Sequence, residues 1–161
     1  MTSNDRTPEQ QKLADLLDGM SIGMLTTYGP EGPRSIPMAR QDIEPGDTLW
    51  FITGRDTRHA AAVDAEARAT LTFSARDSWV ALTGRAEIID DTARLEELWT
   101  TLAEAWMPEG PEDPNAVLLR FDIEQAEYWD TPGSRVASLL SFVKAKVTGD
   151  TLDADHGSLR P

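Results

Sequence analysis

Leu13, Leu16, Leu17 and Met20 recur at three-four spacing, which marks one face of a helix. Thr7-Pro8-Glu9-Gln10 opens it. Thr7 suits the N-cap, Pro8 the first helical position, and Gln10 completes a capping box. Gly19 is a natural stop. The period then shortens. Residues 20–27 read as a strand, 28–33 as a turn, 34–43 as a second strand, 44–47 as a turn and 48–53 as a third strand. That third strand, Thr48-Leu49-Trp50-Phe51-Ile52-Thr53, is apolar on both faces, so cover is expected on both.

Residues 57–66 are Ala-rich and short, which predicts a helix, and 69–74 a strand. Residues 79–89 form a long strand with Val80, Leu82, Ala86 and Ile88 on its apolar face and Gly84 as a bulge. Asp90 or Asp91 caps one helix that carries Leu95, Leu98, Trp99 and Leu102. Pro108, Pro111 and Pro114 make 107–115 a loop. Val117, Leu119, Phe121 and Ile123 alternate with Arg120, Asp122 and Glu124, the pattern of a half-buried strand. Val136, Leu139, Leu140 and Val143 are helix-spaced, and the tail 149–161 is polar. About six strands joined by tight turns, with helices that come singly, predict a mainly β antiparallel barrel with peripheral helices. The chain of 161 residues reads as one domain, with its core at about 8–150.

Charge narrows the partners. Lys plus Arg is 15 and Asp plus Glu is 28, a net −13, which disfavours nucleic acid and anionic membranes. The excess is uneven: residues 87–130 carry 13 acids against Arg94 and Arg120, whereas 34–58 balance four bases against four acids. A small anion belongs in the first half. Zero cysteines exclude disulfides and thiolate chemistry without fixing a redox compartment. Residues 1–11 lack a basic n-region and an apolar h-region, and no apolar run reaches about 20 residues, so the default location is cytoplasmic.

Candidate chemistry is sparse. Only His59 and His156 are present, without metal-ligand spacing. Gly19-Met20-Ser21-Ile22-Gly23 matches G-x-S-x-G, but the nucleophile elbow needs a strand before the Ser and a helix after it. Here the order is reversed, so the match reads as chance. Thr53-Gly54-Arg55-Asp56-Thr57-Arg58-His59 is the phosphate candidate: a strand ends, a glycine turns and a helix begins. Helix N-termini offer unpaired N–H groups and a positive dipole end. Thr57 adds a hydroxyl, Arg58 a fork of donors, and His59 a further donor. The plainer reading is that Asp56 or Thr57 only caps the helix while the arginines sit in solvent. The third strand, with Met38 on its neighbour, would give such a site an apolar wall for a ring, or is plain core.

These residues resemble the pyridoxamine phosphate oxidase-like split-barrel flavoproteins, general stress protein branch. The matching pieces are Pro37-Met38, Leu49-Trp50-Phe51-Ile52-Thr53, Thr57-Arg58-His59, Gly84-Arg85-Ala86-Glu87, the stretch Ala105-Trp106-Met107-Pro108-Glu109-Gly110-Pro111-Glu112-Asp113-Pro114, and Ala126-Glu127-Tyr128-Trp129-Asp130. The last two are the more specific. The resemblance implies a homodimeric split β-barrel with FMN at the dimer interface. It places Pro37 and Met38 near the ring. Phe51, Ile52 and Thr53 would line the flavin, and Thr57, Arg58 and His59 would hold the phosphate.

Two positions depart from the pattern. Where the family commonly has Arg, two residues before the Met, this chain has Ile36; Arg40 is a further candidate for the cofactor site and lies on the same face, but about 13 Å along the strand, so it cannot simply take over the same contact. The usual Lys after the Arg is His59, shorter and only partly charged. The leading expectation is an FMN-dependent oxidoreductase in which the flavin carries the redox chemistry, with a nicotinamide as an open choice of electron donor. The alternatives are a flavin carrier or sensor without turnover, a site for FAD or a deazaflavin, and a barrel that has lost its cofactor.

Overall fold

A computed structural model describes residues 6–44, 48–130 and 155–159. Helix α1 spans Pro8–Leu17, with the Thr7–Gln10 capping box formed in both directions. Leu13, Leu16 and Leu17 are its buried side, and Gly19 takes a positive φ of 78° just beyond its end. The strands are β1 (Ile22–Gly29), β2 (Gly32–Glu44), β3 (Thr48–Gly54), β4 (Arg68–Ser74), β5 (Ser78–Ile89), β6 (Ala116–Asp130) and β7 (Asp155–Leu159). Between them lie α2 (Arg58–Ala65), α3 (Thr92–Leu98) and α4 (Thr101–Trp106). No helix among the described residues is long and apolar enough to cross a membrane.

All strand pairings are antiparallel, in the order β3-β2-β1-β4-β5-β6, and β3 also pairs with β6. The first six strands therefore close into a barrel. Strand β6 is long enough to serve two neighbours on one edge. Ala116 to Asp122 meet β3, and Ala126 to Asp130 meet β7. The register with β5 shifts between Thr83 and Gly84, as expected of a bulge. A Cβ on Gly84 would lie 2.0 Å from the Asp122 carbonyl oxygen, so only glycine allows this approach.

The interior is filled by Leu25, Leu49, Phe51, Leu71, Phe73, Leu82, Leu119 and Phe121, closed at one end by α1. A second apolar cluster lies outside the barrel, where α3 covers Trp50 and Leu118. Both faces of β3 are thus covered. The same cover turns the start of β6 from half-buried into fully buried over Ala116, Val117, Leu118 and Leu119.

Two expectations are corrected. The single helix over Leu95 to Leu102 is two: Trp99 is extended, and the Thr100 hydroxyl accepts the Ala103 N–H and starts α4. Part of the polar tail is a strand, because β7 completes the free edge of β6. The helix expected around Val136 to Val143 and most of the 44–47 turn fall outside the described residues. Ser21 of the G-x-S-x-G match is followed by strand β1, not by the helix an elbow requires.

Candidate functional site

Strands β2 and β3 end against α2 and α4, and the space between them is a cleft of about 530 Å³. Its apolar wall includes Pro37, Met38, Ile52, Leu102, Trp106 and Met107; its polar part includes Gln41, Thr53, Thr57 and Asn115. Asp56 is the one titratable lining group among the described residues, and it is exposed.

The polar end is built by the turn from β3 into α2. Thr57 caps α2: its hydroxyl accepts the Ala60 N–H at 3.2 Å and donates to the Gly54 carbonyl at 2.8 Å. Asn115 ties the turn to the start of β6. Its side-chain oxygen accepts the Asp56 N–H at 3.0 Å, and its carbonyl accepts the Arg55 N–H at 2.8 Å. A Cβ on Gly54 would come within 3.0 Å of Asn115 and Asp56, so glycine here keeps the turn closed and the cleft floor open. Ala60 and Ala61 both donate back to Thr57, while the Arg58 and His59 N–H groups have no intrahelical acceptor.

His59 points inward. Its Nε2 lies 2.5 Å from the Thr53 hydroxyl oxygen and 3.1 Å from that of Thr57, and burial lowers its pKa from the ordinary 6.5. The ring therefore favours the neutral form.

The cleft gathers five of the nine candidate residues: Pro37, Met38, Ile52, Thr53 and Thr57. The other four lie elsewhere. Phe51 is fully buried in the barrel, where its ring holds β3 in place. Arg58 is exposed on the first turn of α2. His59 sits behind the two threonines. Arg40 is half-buried and donates to the Leu17 carbonyl at 3.1 Å, capping the C-terminal end of α1.

Sequence reasoning missed the α4 side. Gln41 accepts the Thr100 hydroxyl at 3.2 Å and so fixes the start of α4, Ala103 is buried at its middle, and Met107 packs on the outer cluster at its end. Leu102 and Trp106 remain at the cleft rim, Trp106 being 81% exposed. The one signal for Trp106 was its place in the Trp-Met-Pro-Glu-Gly stretch.

Residues 8–153 match the family described as pyridoxamine 5'-phosphate oxidase like. The chain belongs to this family. No curated protein matches it. Among solved structures it is similar to a protein of Jannaschia sp. CCS1 described as a general stress protein 26: 31% identity, TM-score 0.77, covering 94% of this chain and 99% of that one. The general stress FMN/FAD binding protein of Xanthomonas citri is 30% identical, with TM-score 0.68 and coverage of 78% and 90%. A Clostridium acetobutylicum protein related to general stress protein 26 is 27% identical, with TM-score 0.67 and coverage of 77% and 91%. The closed six-stranded barrel with peripheral helices is thus the split barrel of the pyridoxamine 5'-phosphate oxidase-like family.

Proposed function

We propose that this chain is a homodimeric flavoprotein that binds FMN in the cleft between β2, β3, α2 and α4 and acts as an oxidoreductase. The observation that carries the reading is the layout of the cleft. An apolar wall large enough for a ring ends at two hydroxyls and a helix N-terminus, and a glycine floor lets a ligand approach the backbone. The similarity to a general stress FMN/FAD binding protein supports the same ligand class.

The donor set fits the group in parts. Pro37, Met38 and Ile52 give the ring an apolar wall, and Thr53 gives it a hydroxyl. The Arg58 and His59 N–H groups, the orphan donors at the start of α2, would be the backbone donors available to a phosphate, and the exposed Arg58 guanidinium beside the cleft would supply the positive charge. Thr57 acts mainly by shaping the turn, because its proton is committed to Gly54. Phe51 and Arg40 support the site from behind. FMN, when bound, supplies the hydride or single-electron chemistry. The protein binds, orients and excludes water, which suits a cleft whose lining holds no buried acid or base among the described residues.

The exposed surface supports the homodimer. Ile22, Met24, Trp79 and Trp129 are exposed around a second apolar cleft of about 450 Å³, with Ile22 57% and Trp79 47% exposed. Ile22 lines both clefts, so this apolar face runs into the cofactor cleft. A second copy seated there would cover it and close the flavin site.

Arg58→Ala tests the phosphate assignment. Loss of an exposed charge-assisted contact should weaken FMN binding by about three- to tenfold without moving the melting temperature. Unchanged affinity removes Arg58 from the site. The exposed Asp56, the only titratable lining group among the described residues, also suits a flavin store without turnover. Reduction of the bound flavin by NADH or NADPH, followed by reoxidation with an added acceptor, separates the two: fast cycling supports the oxidoreductase, and its absence the store.

A further inference from the structure

We propose that His59 fixes the Thr53 hydroxyl as a hydrogen-bond donor to the cleft, so that the site selects an acceptor atom on its ligand at that point. The ligand's identity as FMN rests on the function proposed above; the assignment of the hydrogen bonds does not.

The argument is a proton count. Thr57 has one hydroxyl proton, and it goes to the Gly54 carbonyl. Its oxygen already accepts from Ala60, and the 3.1 Å contact with His59 adds a second bond in which the threonine is again the acceptor. The Thr57 contact therefore favours hydrogen on Nε2, although a bare Nε2 could accept from Thr53. The other tautomer would set a bare ring nitrogen against the Thr57 lone pairs.

The single Nε2–H is then shared between the two threonine oxygens, and Thr53 also meets the ring as an acceptor. Its own proton is then left over. Thr53 is only 6% exposed and lines the cleft, and its hydroxyl has no other hydrogen-bond partner among the described residues. The group best placed to take that proton is a ligand carbonyl oxygen or ring nitrogen. A ligand with a donor there would set hydrogen against hydrogen.

A family-type lysine at position 59 would bring charge to the phosphate. His59 works through its neighbours instead and is a positioning residue. Protonation would add hydrogen at Nδ1 and leave the Nε2 donor in place. The charged groups of the same turn and helix, Arg55, Asp56, Arg58 and Asp64, are all exposed, and Arg55 is paired with Asp90. Thr53 therefore keeps its polarity on both sides of the His59 titration.

The first test is nitrogen NMR of the full chain labelled at histidine, with no ligand added. The expected result is a neutral His59 protonated at Nε2; hydrogen on Nδ1 overturns the proposal. The second is a double-mutant cycle on FMN affinity with His59→Phe and Thr53→Val. Each single variant should bind about three- to tenfold more weakly, and the double variant no more weakly than the worse single one. Losses that multiply would mean that His59 acts by packing alone, and would overturn the proposal. His59→Gln, which returns an N–H at similar reach, should recover affinity to within about threefold of the parent. Melting curves identify any variant that fails to fold. If the parent protein takes no FMN, the flavin reading falls, and the histidine tautomer decides this proposal by itself.

Discussion

Thr57 holds the turn that opens α2 in two ways, as N-cap to Ala60 and as donor to Gly54. Thr57→Ala should cost about 1–2 kcal/mol in denaturant unfolding, the usual loss for a cap. His59 adds a pH dependence. Its folded pKa is lowered by burial, so the unfolded chain binds the extra proton more readily. Stability from this group is fully present above the ordinary value of 6.5 and is lost as pH falls through the lower folded value. Unfolding measured across that window should show a slope that His59→Phe removes; an equal slope in the variant would contradict it. At this scale the sequence made residue types legible but not directions. Thr57 as a cap follows from position, and Thr53 as a lining hydroxyl from the family resemblance. That His59 turns inward while Arg58 turns to solvent depends on helix phase against the barrel, which one chain of letters does not contain. Arg40 is the same case, since its partner is a carbonyl 23 residues earlier, at the end of α1.

Most elements were legible because their periods were clean. Helix α1 had its capping box, and β5 had its alternation with the Gly84 break. The bulge gives a sharp test. Gly84→Ala forces a Cβ against the Asp122 carbonyl, which is backbone and cannot swing aside. The variant should lose at least about 2 kcal/mol or fail to fold; a parent-like melting temperature would contradict the close approach. Elements set by long-range partners were not legible. Trp99 and Leu102 continue the three-four spacing of Leu95 and Leu98, yet the chain breaks at Trp99, because Thr100 caps α4 and is held by Gln41 of β2. Strand β7 is polar in sequence and forms because β6 outruns β3 and leaves an edge to pair. The rim residues Leu102 and Trp106 come to the cleft only through this placement of α4.

The whole molecule combines an acidic chain with a cleft whose lining, among the described residues, carries a single exposed acid. Charge patterning anticipated only half of that separation: β2, β3 and the start of α2 supply one side of the cleft, while Leu102, Ala103, Trp106, Met107 and Asn115 come from within the acid-rich stretch Glu87 to Asp130 and bring no acid to the lining. The apolar face at Ile22 and Trp79 belongs to the assembly. Light scattering should give a dimer, and Trp79→Glu should shift it to monomer while weakening FMN binding; a monomeric parent protein would remove the proposed interface. The central claim, that this cleft is a flavin site, is tested most directly by titrating the full chain with FMN and following flavin absorbance and fluorescence. The account predicts saturable binding at one FMN per protomer, with altered flavin bands. A titration that leaves the flavin spectrum that of free FMN at saturating protein would contradict it.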